Sequence, residues 1–155
     1  MSKVSSRLLV IDASVARAAG ETRHPVSSAC RNNLCAILSI CHRMVATRQI
    51  DAEWKRHASR YSRKWRRFMA GRGKIVPLTP KKLPVGIAAI SGDDKVAIEK
   101  DLHLMEAANA ADHIIITGDD SLREAILRAK KGAGLFAMFK WINPVRDGTD
   151  VLASL

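Results

Sequence analysis

Two short apolar runs, far apart in the chain, each lead straight into a carboxylate: RLLVID at residues 7–12 and HIIITGDD at residues 113–120. Runs this short and this rich in branched side chains suit strands covered on both faces, the kind found in parallel sheets, better than helices of their own. In such sheets functional groups gather in the crevice beyond the carboxyl ends of the strands. Asp12 and Asp119 occupy that position, each the first acid after its strand. The feature constrains fold and site together: a parallel sheet flanked by helices, with negative charge at one edge.

The rest of the chain supplies the helices. Residues 27–46 carry apolar positions 30, 34, 37, 38, 41, 44 and 45 at helical spacing, with Ser27 or Ser28 to cap the start. Cys30, Leu34, Leu38 and Cys41 form the expected buried stripe. Residues 51–69 repeat the period with Trp54, Ala58, Tyr61, Trp65 and Phe68 in line, and Gly71 and Gly73 close the segment. That spacing assigns the aromatics to the core. The stretch 75–94, with Pro77, Pro80, Pro84, Gly86 and Gly92, reads as an irregular connector packed onto the body. A further helix is predicted over 95–111. After the strand HIIIT comes a helix over 121–131, capped by Ser121 or Asp120, with Leu122, Ala125, Ile126 and Ala129 facing inward. LFAMFKWI, 135–142, reads as another strand. The order predicts a three-layer α/β architecture, and a chain of 155 residues can bury its core as one domain over residues 1–155.

Charge is uneven. There are 26 Lys and Arg against 15 Asp and Glu, a formal net of +11, and ten of the basic residues fall between Arg48 and Lys74. An excess of this size favours polyanionic partners. Lys55, Arg56, Arg60, Arg63, Lys64, Arg66 and Arg67 are the candidate RNA contacts; the plainer alternative is the solvated face of an amphipathic helix. Three cysteines, 30, 35 and 41, suggest neither a disulfide framework nor a zinc site. LLVI, broken by Asp12, lacks the apolar core of a signal peptide, and no membrane span is expected. A cytoplasmic protein is the expectation.

Two aspartates brought together at a sheet edge repel, and one must take up a proton unless a cation sits between them. A hard divalent ion, Mg²⁺ or Mn²⁺, takes oxygen ligands and is commonly held by a few carboxylates together with substrate phosphate. Taken singly, Asp12 could merely end a strand, and Asp120 or Ser121 merely cap a helix. His57, His103 and His113 would permit metal-free acid–base cleavage, but His113 lies at the far end of its strand from Asp119. No GxxxxGK[ST], Rossmann glycine fingerprint or GxSxG occurs.

LLVIDAS with Asp12, IDAEWKRH with Glu53, EKDLHLMEAA with Asp101 and IIITGDDSLR with Asp119 together resemble the PIN-domain nuclease family, over residues 8 to 144, where WINP ends the match. The resemblance implies a Rossmann-like α/β/α fold around a central, mostly parallel sheet. It also implies a Mg²⁺- or Mn²⁺-dependent ribonuclease in which a metal-bound water cleaves RNA, often as the toxin of a toxin–antitoxin pair, and in which homodimers are common. On this resemblance Asp12, Asp101 and Asp119 match the metal-binding aspartates and Glu53 the second acid, carried on a helix. Ser14 and Thr117 match small hydroxyls that orient a carboxylate or water, and Asp120 either joins the cluster or caps the helix. The arginine-rich helix exceeds what the family pattern requires. A basic RNA-binding protein that keeps the fold but has lost turnover is the alternative.

Overall fold

The structure, a computed structural model, describes residues 5–83, 93–128 and 137–155. Five strands form one sheet: β1 (Leu8–Ile11), β2 (Arg43–Ala46), β3 (Ile75–Pro77), β4 (Ile114–Ile116) and β5 (Lys140–Ile142), in the order β3-β2-β1-β4-β5. Every pairing is parallel, with Leu9 beside both Met44 and Ile114, and Ile11 beside Ile116. Leu9, Val10 and Ile11 are completely buried, as a central strand covered on both faces requires. This is the expected three-layer, Rossmann-like α/β fold.

The helices are α1 (Ala13–Ala18), α2 (Pro25–Ile40), α3 (Arg48–His57), α4 (Arg60–Gly71), α5 (Asp93–Asn109) and α6 (Ser121–Arg128), followed by two short turns, α7 (Pro144–Asp147) and α8 (Asp150–Ala153). Helix α1 contacts α2, α3 and α4, and α2 contacts α4, α7 and α8; α5 packs on α6, β1 and β4. The reversal of strand order lies between β1 and β4. The chain leaves their carboxyl ends through Asp12 and through Thr117–Asp120, so the topology opens its crevice where the two acids stand. Among the described residues no helix is long and apolar enough to cross a membrane.

Three expectations change. The helix predicted over 27–46 stops at Ile40, where Cys41 adopts a left-handed conformation (φ 72°) and its N–H closes onto the carbonyls of Ile37 and Leu38. Residues 43–46 then form β2, and Ile37 takes the buried place expected of Cys41, which is exposed. The helix predicted over 51–69 is two helices. Ser59 caps the second by accepting from the Ser62 N–H at 3.1 Å, and the turn shifts the buried stripe, so that Met69 is buried while Phe68 is about half exposed. The expected connector begins with a strand, β3. Pro84, Gly86, Gly92, Ala129, the end of the helix predicted over 121–131 and the start of the strand predicted over 135–142 lie outside the described residues.

Trp54 and Trp65 are buried, as their spacing predicts, and stack with ring centroids 5.8 Å apart. Each indole N–H is satisfied by a distant carbonyl: Trp54 Nε1 donates to Ile11 O (2.8 Å) and Trp65 Nε1 to Leu34 O (2.7 Å). The buried His42 is equally committed, since its Nδ1 accepts from the Arg7 N–H and its Nε2 lies 2.8 Å from Leu152 O.

Candidate active site

Beyond the ends of β1 and β4 lies a pocket of about 210 Å³ whose walls include Asp12, Ser14, Glu53, Asp101 and Asp119. Asp12 follows β1 and Asp119 follows β4, while Ser14 comes from α1, Glu53 from α3 and Asp101 from α5. Helix rotation, which decides whether Glu53 can reach, is set by Trp54. With its indole bonded to the residue that precedes Asp12, the neighbouring Glu53 is turned to the pocket. All four acids expected from the sequence thus line one cavity.

Asp12 is 9 % exposed. Its Oδ2 accepts from Ser14 Oγ at 2.7 Å and from Thr117 Oγ1 at 2.8 Å, while Oδ1 has no hydrogen-bond partner among the described residues. Ser14 Oγ also accepts from the Gly118 N–H, and Thr117 Oγ1 from the Asp119 N–H, each at 3.0 Å. The two hydroxyls therefore tie the loop after β4 to the acid after β1. Two oriented donors on one oxygen leave the other free to face a ligand.

Asp101 carries the electrostatic strain. Its carboxyl is pushed up to about 6, first by burial and then by the charge of Asp12, with Asp119 and Glu53 adding to the effect; Lys100 acts in the opposite sense. Asp119 moves the other way, held low chiefly by hydrogen bonds from Ser121, whose N–H lies 2.9 Å from Oδ1. Glu53 has His103 beside it, Nε2 to Oε1 3.2 Å, although neither ring nitrogen of this buried histidine makes an aligned hydrogen bond.

Asp120 departs from both expected roles. Its carboxylate neither joins the pocket nor caps α6. Arg146 Nη1 reaches both of its oxygens (2.9 and 3.0 Å), and Asn143 Nδ2 donates to it at 3.3 Å. The acid that accepts from the first N–H of α6, that of Ser121, is Asp119, so one side chain borders the pocket and meets the helix start.

Three further pocket residues lie outside the expected metal site: Arg17 from α1, Lys100 from α5 and, from α3, His57, which was weighed above only for metal-free cleavage. Sequence held a signal for two of them. Arg17 falls one helical turn after Ser14, and Lys100 directly precedes Asp101. The expected basic surface also divides. Arg56 lines the acidic pocket, whereas Lys55, Arg63, Arg66 and Arg67 line a separate groove of about 740 Å³ between α3 and α4, with Trp54 at its floor. Arg60 and Lys64 are exposed outside both. Arg66 is engaged already, paired with Asp51 and lying over the Trp54 ring at 5.7 Å.

Carboxylate oxygens around a partly enclosed cavity are the donor chemistry that Mg²⁺ or Mn²⁺ requires. Among the described residues, however, no group of three or more His, Cys, Asp or Glu side chains is arranged to hold a metal ion together. The donors fit such an ion in kind, but they do not converge on a point. Comparison with protein families, with curated proteins and with solved structures finds no match to this chain.

Proposed function

We propose that the chain is a Mg²⁺- or Mn²⁺-dependent endoribonuclease of the PIN-like kind, acting on RNA in the cytoplasm. One observation carries the reading: four acids from positions 12, 53, 101 and 119 line a single pocket, where burial first, and then the charge of its neighbours, pushes the Asp101 carboxyl up to about 6. Like charges gathered at that cost are what a cation site requires. Three free thiols, two of them exposed, suit a reducing compartment.

Asp12, Asp101 and Asp119 would hold the ion and Glu53 would complete its surroundings; a bound ion supplies an acidified water and stabilises the leaving oxygen of a phosphodiester. The chain's own residues supply orientation. Ser14 and Thr117 fix the Asp12 carboxylate through Oδ2. Ser121 keeps Asp119 ionised. The basic surfaces of α3 and α4 draw a polyanion toward a pocket whose acids alone would repel it.

The test is cleavage of a labelled RNA with Mg²⁺ or Mn²⁺, with and without chelator. Asp12→Asn and Asp119→Asn should each lower cleavage by about 10²-fold or more, the scale on which losing a preorganised charged group acts, with the circular-dichroism spectrum unchanged. Cleavage that survives chelator, or either variant at full activity, ends this reading. The absence of a ligating trio among the described residues favours a second reading, an RNA-binding protein without turnover. RNA binding with no cleavage in either metal selects it.

A further inference from the structure

The cations that share the pocket with the four acids are out of proportion to a site that holds metal alone. Arg17, Arg56 and Lys100 stand on three different helices, and all three border the same cavity of about 210 Å³ as Asp12, Glu53, Asp101 and Asp119. Cations placed only to neutralise carboxylates would be paired with them. Yet among the described residues none of the three makes a hydrogen bond or an ion pair, whereas Arg66 and Arg146, away from this pocket, are both held by acids. Their donors are unspent at the mouth of a site rich in negative charge. Counted formally, its four carboxylates against its three Lys and Arg cations leave one negative charge.

That balance decides what fits. One divalent cation turns the pocket net positive by a single charge, which one phosphodiester, a monoanion, cancels. A second divalent ion would leave an excess of two positive charges beside three protein cations in the same small space. Two-ion phosphodiesterases use the second ion to clamp the phosphoryl oxygens; guanidinium and ammonium groups hold phosphate as well, the former in a bidentate fork.

We propose that Arg17, Arg56 and Lys100 form a phosphate subsite, holding a phosphodiester of single-stranded nucleic acid against one divalent ion in place of a second ion. This deepens, and rests on, the proposed metal-dependent function. Arg17 and Arg56 approach from α1 and α3, which contact each other, and Lys100 from α5, so the strand is gripped from two layers of the fold.

The test measures binding instead of turnover. Calorimetry with Mn²⁺ alone gives the number of ions per chain, and fluorescence anisotropy with a ten-residue 2′-O-methyl oligouridylate, with Mn²⁺ present, gives the affinity for the strand. Arg17→Gln and Arg56→Gln change exposed side chains and leave the fold alone. Each should weaken oligonucleotide binding by about tenfold, the scale of one charge-assisted contact. Mn²⁺ should bind at one ion per chain, no more weakly than in the wild type, since a like charge has been removed. Arg23→Gln, exposed and outside the pocket, should stay within about twofold. Two Mn²⁺ per wild-type chain would overturn the inference. So would losses in both pocket variants no larger than that of Arg23→Gln, while the metal-dependent function stood. A wild type that takes up no Mn²⁺ removes that function itself, and the subsite with it.

Discussion

At Asp101, burial and three neighbouring acids act together, and the carboxyl ionises near 6 in place of 3.8. Below about pH 4 both folded and unfolded chains are protonated there, and the group is neutral in its effect. Between about 4 and 6 the unfolded chain gives up its proton first, so this group's contribution to stability falls as pH rises, and above 6 the whole penalty is present. Asp101→Asn should therefore raise the melting temperature of the metal-free protein at pH 7.5. Since the side chain is only partly buried, solvent screening limits the gain to on the order of 1 kcal/mol, or about 2–4 °C. Thermal scans in chelator from pH 4 to 8 would show the gain vanish at the acid end; a gain independent of pH would contradict the electrostatic cause. Asp12 and Asp119 were legible in the sequence because each directly follows a short apolar strand, whereas Glu53 and Asp101 were named only through the family resemblance. The division of work between Asp119 and Asp120 was not legible. What separates those neighbours is Arg146, 26 residues further on, which draws Asp120 away from the helix end, and no local pattern reports it.

Among the elements, the places where reading failed share a cause. Met44 and Val45 continue the helical period of α2, so only the left-handed turn at Cys41 separates helix from strand, and cysteine is not a residue that advertises such a turn. Trp54, Ala58, Tyr61 and Trp65 likewise keep one period across the break between α3 and α4. The break depends on Ser59, which caps α4 and whose hydroxyl also donates to the carbonyl of Ala19. Ser59→Ala should cost about 1–2 kcal/mol, more than an exposed cap, because a buried acceptor is orphaned as well. Urea denaturation measures it; a change under 0.5 kcal/mol, roughly the range of neutral surface substitutions, would mean that the break is fixed by packing alone. Trp54→Phe removes the indole donor while keeping a ring, and should cost about 1–3 kcal/mol by leaving Ile11 O unpaired. Equal stability of the two proteins would deny that bond any part in seating α3.

For the molecule as a whole, the parallel architecture was readable because β1 and β4 are apolar on both faces and each runs into a polar turn, whereas β2 hid in a helical period and β3 in a proline-rich stretch. The net charge was readable too; its division between a pocket and a groove was not, since that depends on the turn between α3 and α4. The groove gives a clean prediction. Arg63→Glu and Arg67→Glu, exposed and outside the acidic pocket, should weaken RNA binding and flatten its dependence on salt, each lowering the slope of log affinity against log salt by roughly 0.7 to 0.9 per lost phosphate contact. Arg66→Glu is a poorer probe, because it also breaks the pair with Asp51 and uncovers Trp54. An unaltered slope in both clean variants would reduce the groove to ordinary hydrated surface.

The Trp54 indole fastens α3 to the last residue of the central strand, one position before Asp12. Helix and strand end consequently behave as a single girder, with an acid bolted to each arm. A polymer pulling on the outer side of α3 transmits its load to Asp12 without an intervening joint, and in hydrogen exchange the Trp54 indole proton and the Asp12 amide should open in the same event.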